Sequence, residues 1–560
     1  MENTTYTVCR QLVALCVSHG VRRVVLSPGS RNAPLLVAFA REKAIEHHVV
    51  VDERVAGFVA LGMAMRSNEP VAVVCTSGTA LLNYAPAVAE AYYRHVPLIV
   101  ISADRPDEWI DQDDSQTIRQ QGALGNFVKQ SYHIPSREDD TALWYARRMI
   151  NDALLQAVAP CSGPVHINVP LGGTLCAVAD VPSSTPRRVV DVRPMQVLSQ
   201  ADAAYLASHI STTEKVMVLV TMHHPAPELQ DALSRLAQLP QVVVLTESIA
   251  NMRDDNFIPT IDRVLTTIDN SEKENFAPQL LITLGGAPVS RMVKEFLRHY
   301  SPAEHWRIGC ESHIVDTMQS LTRRLMVDAT ALMTQMVPLC TPCLATYAAL
   351  WSEREVVATA LHNRIVDEAP WCDLVAFSHI LPAIPAGSVL HLSNGTTIRY
   401  AQLFDTPQVA ASYCNRGVSG IDGSTSTALG ASLVDDCMHL LITGDMSFGY
   451  DAAALATRLA SPRFKIVVMD NGGGGIFRFI KGPSDLPELE ECFEVQYRQP
   501  IEGYAQLPGF KNFHAGSEAE LQRELPAFLA EDNAPAILAI TTAPEVNASI
   551  LRHYMRRARE

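Results

Sequence analysis

Short apolar runs alternate with longer segments of helical pattern along most of the chain. Runs such as Val71–Cys75 and Leu280–Leu284 are apolar on both faces, which is typical of strands buried in a parallel sheet. The alternation occurs in three blocks, so we predict an α/β fold of three tandem, doubly wound parallel-sheet domains. The predicted strands are Val21–Leu26, Val49–Val51, Val71–Cys75, Leu98–Ser102 and Val165–Val169 in the first block, Val216–Val220, Val242–Thr246, Leu280–Leu284 and Leu325–Asp328 in the second, and Val389–Leu392, Leu440–Thr443, Ile466–Met469 and Ile537–Ile540 in the third.

Two segments that lack this pattern suggest where the domains end. Asp180–Arg188 is polar and rich in proline, and a second break falls near Val337–Thr346. We therefore predict a first domain at residues 1–185, a central α/β domain at 190–340 and a last domain at 350–560.

Composition excludes several classes of protein. The net charge of −15 argues against a nucleic-acid partner, because such a surface needs clustered basic residues. No apolar stretch approaches the roughly 18 residues of a membrane span, and the polar start Met1–Tyr6 is unlike a secretory leader. Most of the 12 cysteines lie in apolar segments, as free thiols do in a reducing compartment, and Cys340 and Cys343 have no second pair to complete a zinc site. We predict a cytoplasmic protein.

Oxygen-bearing side chains follow two apolar strands of the last block. Asp445 comes after His439–Thr443, and Asn471 comes after Ile466–Met469. The carboxyl ends of parallel strands meet at one sheet edge, and these side chains supply the hard oxygen ligands of a Mg²⁺ ion that holds a diphosphate. The alternative is two ordinary strand-end turns, where Asp, Asn and Gly are common.

The first block carries two further candidates. Residues 27–34 (SPGSRNAP) follow a strand, so their backbone and Arg31 can face an anion, unless this is a plain turn with a solvated arginine. Glu53 begins a helix that is apolar on more than one face. Its carboxylate is either solvated in the first helical turn or desolvated, with a raised pKa, and the apolar helix favours the desolvated form.

Taken together, these motifs resemble the thiamine-diphosphate-dependent enzymes. The finer pattern is similar to the 2-succinyl-5-enolpyruvyl-6-hydroxy-3-cyclohexene-1-carboxylate synthase family of menaquinone biosynthesis, over essentially the whole chain. The resemblance implies a first domain that binds the pyrimidine of the cofactor, a central domain, and a last domain that binds its diphosphate and Mg²⁺. The motifs that carry it are residues 27–31 (SPGSR), 52–54 (DER), 76–79 (TSGT), 103–106 (ADRP), 415–423 (NRGVSGIDG) and 471–477 (NGGGGIF).

The resemblance also implies roles for individual residues. Glu53 would hydrogen-bond N1′ of the aminopyrimidine, and Ile421 would be the apolar wedge beneath the bent cofactor. Asp445, Asn471 and the carbonyl of Gly473 would bind Mg²⁺, with Mn²⁺ as a second possibility. The family's Gly-Asp-Gly is Gly-Asp-Met here, the second metal element contains four consecutive glycines, and the family's Asn-Ser turn is Asn394-Gly395. The full set of implied cofactor contacts is Ser30, Glu53, Ser419, Gly420, Ile421, Gly444, Asp445, Met446, Ser447, Asn471, Gly473, Ile476 and Phe477.

Arginines at strand ends fit the substrates that the resemblance implies. The family joins 2-oxoglutarate to isochorismate with loss of CO₂, and both compounds are dicarboxylates, which guanidinium groups bind well. The alternative for any one arginine is a surface ion pair. Gln116 would contact the reacting cofactor, unless it only begins an amphipathic helix. The implied catalytic residues are Glu53, Gln116, Arg31, Arg105, Arg399 and Arg416, with Arg291 as a looser candidate.

The resemblance further implies a transferase that works as a homodimer or homotetramer, with active sites between subunits. Two alternatives remain open. Another thiamine-diphosphate enzyme, such as a 2-oxoacid decarboxylase or an acetohydroxyacid synthase, would share the fold and the cofactor. A binding protein that has lost the chemistry would share only the fold, and the presence of Glu53, Asp445 and Asn471 argues against it.

Overall fold

The apolar runs of the sequence form three six-stranded sheets. A computed structural model describes residues 2–182, 185–192, 197–311, 313–405, 407–480, 482–495 and 509–556. The chain divides into two compact units. The first comprises Met1–Arg193, Gly417–His439 and Tyr450–Phe464, and the second comprises Pro194–Arg416, Leu440–Gly449 and Lys465–Glu560. The domain limits near 185–190 and 340–350 stay a prediction.

The first sheet is built from the N-terminal block. Its strands, with a short outer pair, are β1 (Glu2–Thr4), β2 (Arg23–Leu26), β3 (Glu46–Val49), β4 (Val71–Cys75), β5 (Leu98–Asp104), β6 (Ser131–His133), β7 (Val165–Pro170) and β8 (Val178–Asp180). The order is β3-β2-β4-β5-β7-β6 and all neighbours are parallel, while β1 and β8 pair antiparallel. The helices are α1 (Thr7–Ser18), α2 (Ala33–Ala40), α3 (Glu53–Ser67), α4 (Ala80–Asn83), α5 (Ala85–Tyr93) and α6 (Asp140–Val158).

The central sheet is also parallel. Its strands are β9 (Val216–Val220), β10 (Val242–Thr246), β11 (Phe257–Ile258), β12 (Leu280–Leu284), β13 (Glu304–Ile308) and β14 (Arg323–Leu325). The order β11-β10-β9-β12-β13-β14 is that of a dinucleotide-binding fold. Its helices are α7 (Gln200–Thr212), α8 (Pro227–Leu236), α9 (Ile261–Leu265), α10 (Lys273–Phe276), α11 (Arg291–His299) and α12 (Ala329–Met336).

The last sheet repeats the winding of the first. Its strands are β15 (Val389–Leu392), β16 (Ala411–Tyr413), β17 (His439–Gly444), β18 (Phe464–Asp470), β19 (Lys511–Ala515) and β20 (Ala536–Thr541). The order β16-β15-β17-β18-β20-β19 matches the first sheet when strands are counted within each block. The helices are α13 (Tyr347–Glu368), α14 (Asp373–Ala383), α15 (Thr396–Ala401), α16 (Ser424–Ser432), α17 (Asp445–Tyr450), α18 (Glu518–Ala530) and α19 (Pro544–Arg556).

Six shorter turns complete the described secondary structure. They are the 3₁₀ turns Asp107–Trp109, Val337–Leu339, Ala452–Thr457, Gly475–Arg478 and Pro483–Asp485 and the π-helix Leu489–Glu494.

The predicted fold class is confirmed, and every predicted strand overlaps an observed one. Two of the predicted strands were placed two or three residues too far toward the C-terminus. The expected strands Val49–Val51 and Leu325–Asp328 are in fact Glu46–Val49 and Arg323–Leu325. Both lie at sheet edges, where one side of the strand has no partner strand and polar residues are tolerated. A strand prediction based on apolar runs therefore misses the polar residues with which these strands begin.

Helices α3 and α16 pack closely within the first unit. A Cβ atom on Gly62 would lie 1.9 Å from the carbonyl oxygen of Thr427, and one on Gly430 would lie 2.0 Å from that of Val59. Every residue of α16 is buried, as is all of α3 from Val55 to Met65. The contact therefore joins backbone to backbone, and it requires glycine at both positions.

Ten of the 12 cysteines are free thiols, and five of these are buried. Cys340 and Cys343 are among the free thiols, and their sulfurs contact different carbonyl oxygens, those of Met336 and Thr213. Within the described ranges, no helix is both long enough and apolar enough to cross a membrane.

Candidate functional site

An open cavity of about 370 Å³ lies at the carboxyl edge of the first sheet. Glu53 and Gln116 both line it. Helix α3 is capped by Asp52, whose carboxylate accepts hydrogen bonds from the N–H groups of Arg54 and Val55 at 3.0 and 3.2 Å. Because Asp52 serves the helix end, the Glu53 carboxylate remains available to the cavity. Glu53 is half-buried, less than the apolar helix suggested.

Gln116 lies in a turn with φ 55° and does not begin a helix, so the helical alternative is wrong. The facing loop is fixed by Gln120, which accepts a hydrogen bond from the Gly78 N–H at 2.7 Å. Thr76 Oγ1 and Ser77 Oγ line the same cavity, are buried, and have no hydrogen-bond partner among the described residues. These hydroxyl groups are additional candidates for contacts with a ligand.

Arg31 and Arg105 are brought together at this edge. Burial lowers the pKa of Arg31, and the charge of Arg105 lowers it further. Arg31 donates to the carbonyl oxygen of Leu171 at 2.8 Å, whereas Arg105 pairs with Asp114 at 3.0 Å. Ser30, beside Arg31, is exposed. Two cationic groups that repel each other can attract an anionic ligand in addition to Asp114.

The loop that carries Ser419, Gly420 and Ile421 also belongs to the first unit. Glu90, a buried residue of α5, accepts hydrogen bonds from the N–H groups of Gly417 and Val418, both at 2.8 Å. Its carboxylate thus holds the start of the loop. A single glutamate in an otherwise apolar helix gave no signal in the sequence.

The carboxyl edge of the last sheet, in the second unit, presents Asp445. This buried residue follows β17, and its carboxylate accepts hydrogen bonds from the N–H groups of Met446 and Gly473, both at 2.7 Å. Burial raises the pKa of Asp445 to about 7, and the charge of Asp470 adds to the effect. The structure thus joins the Gly473 N–H to the Asp445 carboxylate, with Gly444 and the buried Ser447 near Asp445 in the chain, while the role of the Gly473 carbonyl stays a prediction.

The loop after β18 is shaped by its glycines. Gly473 has φ 121°, and a Cβ atom there would lie 2.4 Å from the carbonyl oxygen of Glu494. Asn471 is buried and donates from Nδ2 to Asp373 at 2.9 Å, which leaves its Oδ1 for another partner. Ile476 and Phe477 follow in the turn Gly475–Arg478 and are half-buried. The Asp445 carboxylate and Asn471 Oδ1 are hard oxygen donors that fit Mg²⁺ or Mn²⁺. The Gly473 carbonyl oxygen accepts a hydrogen bond from the Gly475 N–H at 2.8 Å and has a second lone pair for a ligand.

A second arginine pair lies in this unit. Burial lowers the pKa of Arg399, and the charge of Arg416 lowers it further. Arg416 donates to Asn394 Oδ1 at 3.0 Å, while the Nε atoms of both arginines are buried without a partner in the described part of the chain. Arg291 is instead largely exposed and pairs with Glu295 at 2.6 Å. The pair Arg399 and Arg416 therefore has donors to spare for an anion.

The expected site residues thus form two sets. The first unit holds Ser30, Arg31, Glu53, Arg105, Gln116, Ser419, Gly420 and Ile421. The second holds Arg399, Arg416, Gly444, Asp445, Met446, Ser447, Asn471, Gly473, Ile476 and Phe477.

Comparisons with known proteins agree with this chemistry. Residues 6–124 match the family described as thiamine pyrophosphate enzyme, N-terminal TPP binding domain. That range includes Glu53, Gln116 and the loops around the cavity, so this part of the chain is a domain of a thiamine-diphosphate-dependent enzyme.

Relatives of nearly the same length identify the family within this class of enzymes. The 2-succinyl-5-enolpyruvyl-6-hydroxy-3-cyclohexene-1-carboxylate synthase of Porphyromonas gingivalis is 43% identical, over 97% of this chain and 96% of its own. The enzyme of that name from Christiangramia forsetii is 37% identical over 99% of both chains, and that from Flavobacterium psychrophilum is 36% identical over 98% of both. The chain belongs to the 2-succinyl-5-enolpyruvyl-6-hydroxy-3-cyclohexene-1-carboxylate synthase family.

Proposed function

We propose that this protein is a thiamine-diphosphate-dependent transferase of menaquinone biosynthesis. It decarboxylates 2-oxoglutarate and adds the remaining four-carbon unit to isochorismate by a 1,4-addition. The products are CO₂ and 2-succinyl-5-enolpyruvyl-6-hydroxy-3-cyclohexene-1-carboxylate.

The pairing of the arginines is the observation that carries this proposal. Each unit brings two guanidinium groups together, Arg31 with Arg105 and Arg399 with Arg416. Burial and mutual repulsion disfavour such pairs, and the neighbouring carboxylates Asp114 and Asp262 offset only part of this cost, so a bound anion would stabilise both pairs further. Two dicarboxylate substrates supply the charges that two such pairs require. A decarboxylase acting on a monocarboxylate would not need both pairs.

The remaining residues have roles around the cofactor. Thiamine diphosphate, when bound, supplies the electron sink for decarboxylation. Glu53 holds a proton at N1′ of the pyrimidine, Gln116 orients the reacting group, and Ile421 supports the cofactor from below. Asp445, Asn471 and the Gly473 carbonyl bind Mg²⁺, or Mn²⁺ in its place. The other contacts are Ser30, Ser419, Gly420, Gly444, Met446, Ser447, Ile476 and Phe477.

The proposal includes the assembly and its location. Residues 1–185 bind the pyrimidine and residues 350–560 bind the diphosphate, with a central domain at 190–340. The functional unit is a homodimer or homotetramer in which two subunits contribute to each active site. The enzyme acts in the cytoplasm.

One assay tests this proposal directly. The full chain is mixed with thiamine diphosphate, Mg²⁺ and 2-oxoglutarate, with and without isochorismate, and the products are followed by mass. We expect the adduct only when both substrates are present. Consumption of pyruvate instead of 2-oxoglutarate would identify another carboligase. If no turnover occurs and calorimetry shows no heat when the cofactor and Mg²⁺ are added, the protein is an inactive binding homologue.

A further inference from the structure

A buried hydrogen-bond network holds the side chain of Asn471. Asp373, the first residue of α14, accepts hydrogen bonds from Asn471 Nδ2 at 2.9 Å and from Thr542 Oγ1 at 2.6 Å. The Asp373 N–H donates to Asn547 Oδ1 at 2.8 Å, and Asn547 Nδ2 donates to Thr542 Oγ1 at 2.9 Å. All four residues are buried, and they come from α14, α19 and the segments that follow β18 and β20.

The chemistry of the network fixes which end of the amide faces which way. An asparagine amide can turn over, because Nδ2 donates and Oδ1 accepts. A carboxylate only accepts, so Asp373 tolerates Nδ2 and repels Oδ1. Thr542 occupies the other Asp373 oxygen, which keeps the carboxylate itself from rotating. Asn471 Oδ1 is therefore directed away from Asp373.

We propose that Asp373 is a positioning residue for the divalent cation, because it turns Asn471 Oδ1 toward the Asp445 side of the loop. The proposal rests on the proposed function only in taking Asn471 as a ligand of the cation. Asp373 itself does not bind the cation. Partners of this kind typically change metal affinity by about 10- to 100-fold when they are removed.

Direct measurement of Mn²⁺ binding tests the idea without a turnover assay. Free Mn²⁺ is followed by electron paramagnetic resonance as it is titrated into the full chain saturated with thiamine diphosphate. We expect Asp373→Ala to weaken binding by about 10- to 100-fold. Asp373→Asn can still present an oxygen to Asn471 and should stay within about threefold of the unmodified protein. Tyr554→Phe is the matched control. Tyr554 lies in α19, and the variant removes its buried hydrogen bond with His362 while leaving the hydrogen bonds around Asp373 intact.

Exchanging the two side chains gives the sharpest test. Asn471→Asp sets two buried carboxylates against each other, so the proton they share competes with Mn²⁺. In the double variant Asp373→Asn with Asn471→Asp, a donor faces an acceptor again and the oxygen aimed at the cation is anionic, so binding should be tighter than in Asn471→Asp alone and at least as tight as in the unmodified protein. A general packing role for Asp373 does not predict this recovery.

The outcomes distinguish the positioning role of Asp373 from the proposed function of the protein. Asp373→Ala with unchanged Mn²⁺ affinity, or a double variant no better than Asn471→Asp alone, would overturn the positioning role and leave the proposed function standing. If the unmodified protein bound no Mn²⁺ in the presence of thiamine diphosphate, the proposed function and the positioning role would both fall.

Discussion

The first and last sheets have the same strand order, yet their carboxyl edges carry different chemistry. The first edge has the half-buried Glu53, an open cavity and two hydroxyl groups that have no hydrogen-bond partner among the described residues. The last edge has Asp445 and Asn471, which are buried and held by hydrogen bonds. Topology thus decides where a ligand binds, whereas a few strand-end side chains decide which part of the ligand is bound. Under the proposed function, the first edge would bind the organic ring of the cofactor and the last would bind the cation with the diphosphate.

The largest expected effect is at the last edge. Asp445→Ala removes the anionic ligand beside a diphosphate, so Mg²⁺-dependent retention of thiamine diphosphate should be lost. Calorimetric titration of the cofactor with and without Mg²⁺ measures this. Asp451→Asn changes a buried carboxylate that binds Ser426 in the first unit and should keep the Mg²⁺ dependence. Unchanged cofactor affinity in Asp445→Ala would place the metal site elsewhere.

The corresponding change at the first edge should separate binding from catalysis. Glu53→Gln keeps the size of the side chain and loses its acidity. Turnover should fall at least about 100-fold while cofactor affinity stays nearly normal, since positioned acid–base groups contribute about 10²–10⁴. Steady-state rates at saturating cofactor provide the measurement. Asp52→Asn, which still caps α3, is the control and should be active. Near-normal turnover in Glu53→Gln would show that another residue performs the acid–base step.

The two arginine pairs should differ in the substrate that they recognise. We assign Arg31 and Arg105 mainly to isochorismate and Arg399 mainly to 2-oxoglutarate or the adduct formed from it. Arg31→Ala should raise the KM for isochorismate by about ten-fold or more, because a charge-assisted contact is lost, while slow decarboxylation of 2-oxoglutarate persists. Arg399→Ala should instead weaken the first half-reaction.

Stopped-flow formation of the first adduct distinguishes the two arginine variants. Arg22→Ala, which changes an exposed arginine in the same block, should affect neither step. If the first adduct were lost in Arg31→Ala and formed normally in Arg399→Ala, the assignment would be reversed.

The last prediction extends the comparison to the central sheet and concerns stability, with no effect expected on the chemistry of the site. Glu247 follows β10, is buried, and accepts hydrogen bonds from the N–H groups of Val289 and Ser290, each at 2.8 Å. Burial raises the pKa of Glu247 to about 7. Between an unfolded-state pKa of about 4.3 and pH 7, the folded protein therefore holds the extra proton. In that window the group lowers the free energy of unfolding by up to about 1.4 kcal/mol per pH unit as the pH rises.

Glu247→Gln cannot titrate and should remove this pH dependence. Urea unfolding between pH 4.5 and pH 8, compared with the unmodified protein, gives the difference. The variant should become relatively more stable as the pH rises. A constant difference across the range would show that the Glu247 carboxyl does not titrate there.

The sequence predicted the interiors of the sheets better than their edges. Runs such as Val216–Val220 and Leu280–Leu284 were placed correctly, because both faces are buried and both are apolar. The edge strands Ser131–His133 and Lys511–Ala515 were missed, because strands were predicted from runs of apolar residues and these two contain polar ones. Glu304–Ile308 lies inside its sheet and was missed for the same reason.

The same limit applies to the candidate site. Asp445 and Asn471 could be found because each follows an apolar strand. Asp373 and Glu90 could not, because they act through contacts with residues 98 and 327 positions away in the chain. No local pattern marks a side chain whose partner is so distant. Tertiary structure alone identifies the residues that orient the site.

The glycine contact between α3 and α16 has a mechanical consequence. At Gly62 and Gly430 the two backbones touch with no side chain between them, so a shift of one helix at these points requires a shift of the other. Glu53 opens α3, and the loop that contains Ile421 leads into α16. Close contact of the two main chains therefore sets the spacing between these two candidate site elements. Repacking of the surrounding core leaves that spacing unchanged, whereas one added methyl group at Gly62 or Gly430 would displace the acid and the loop together.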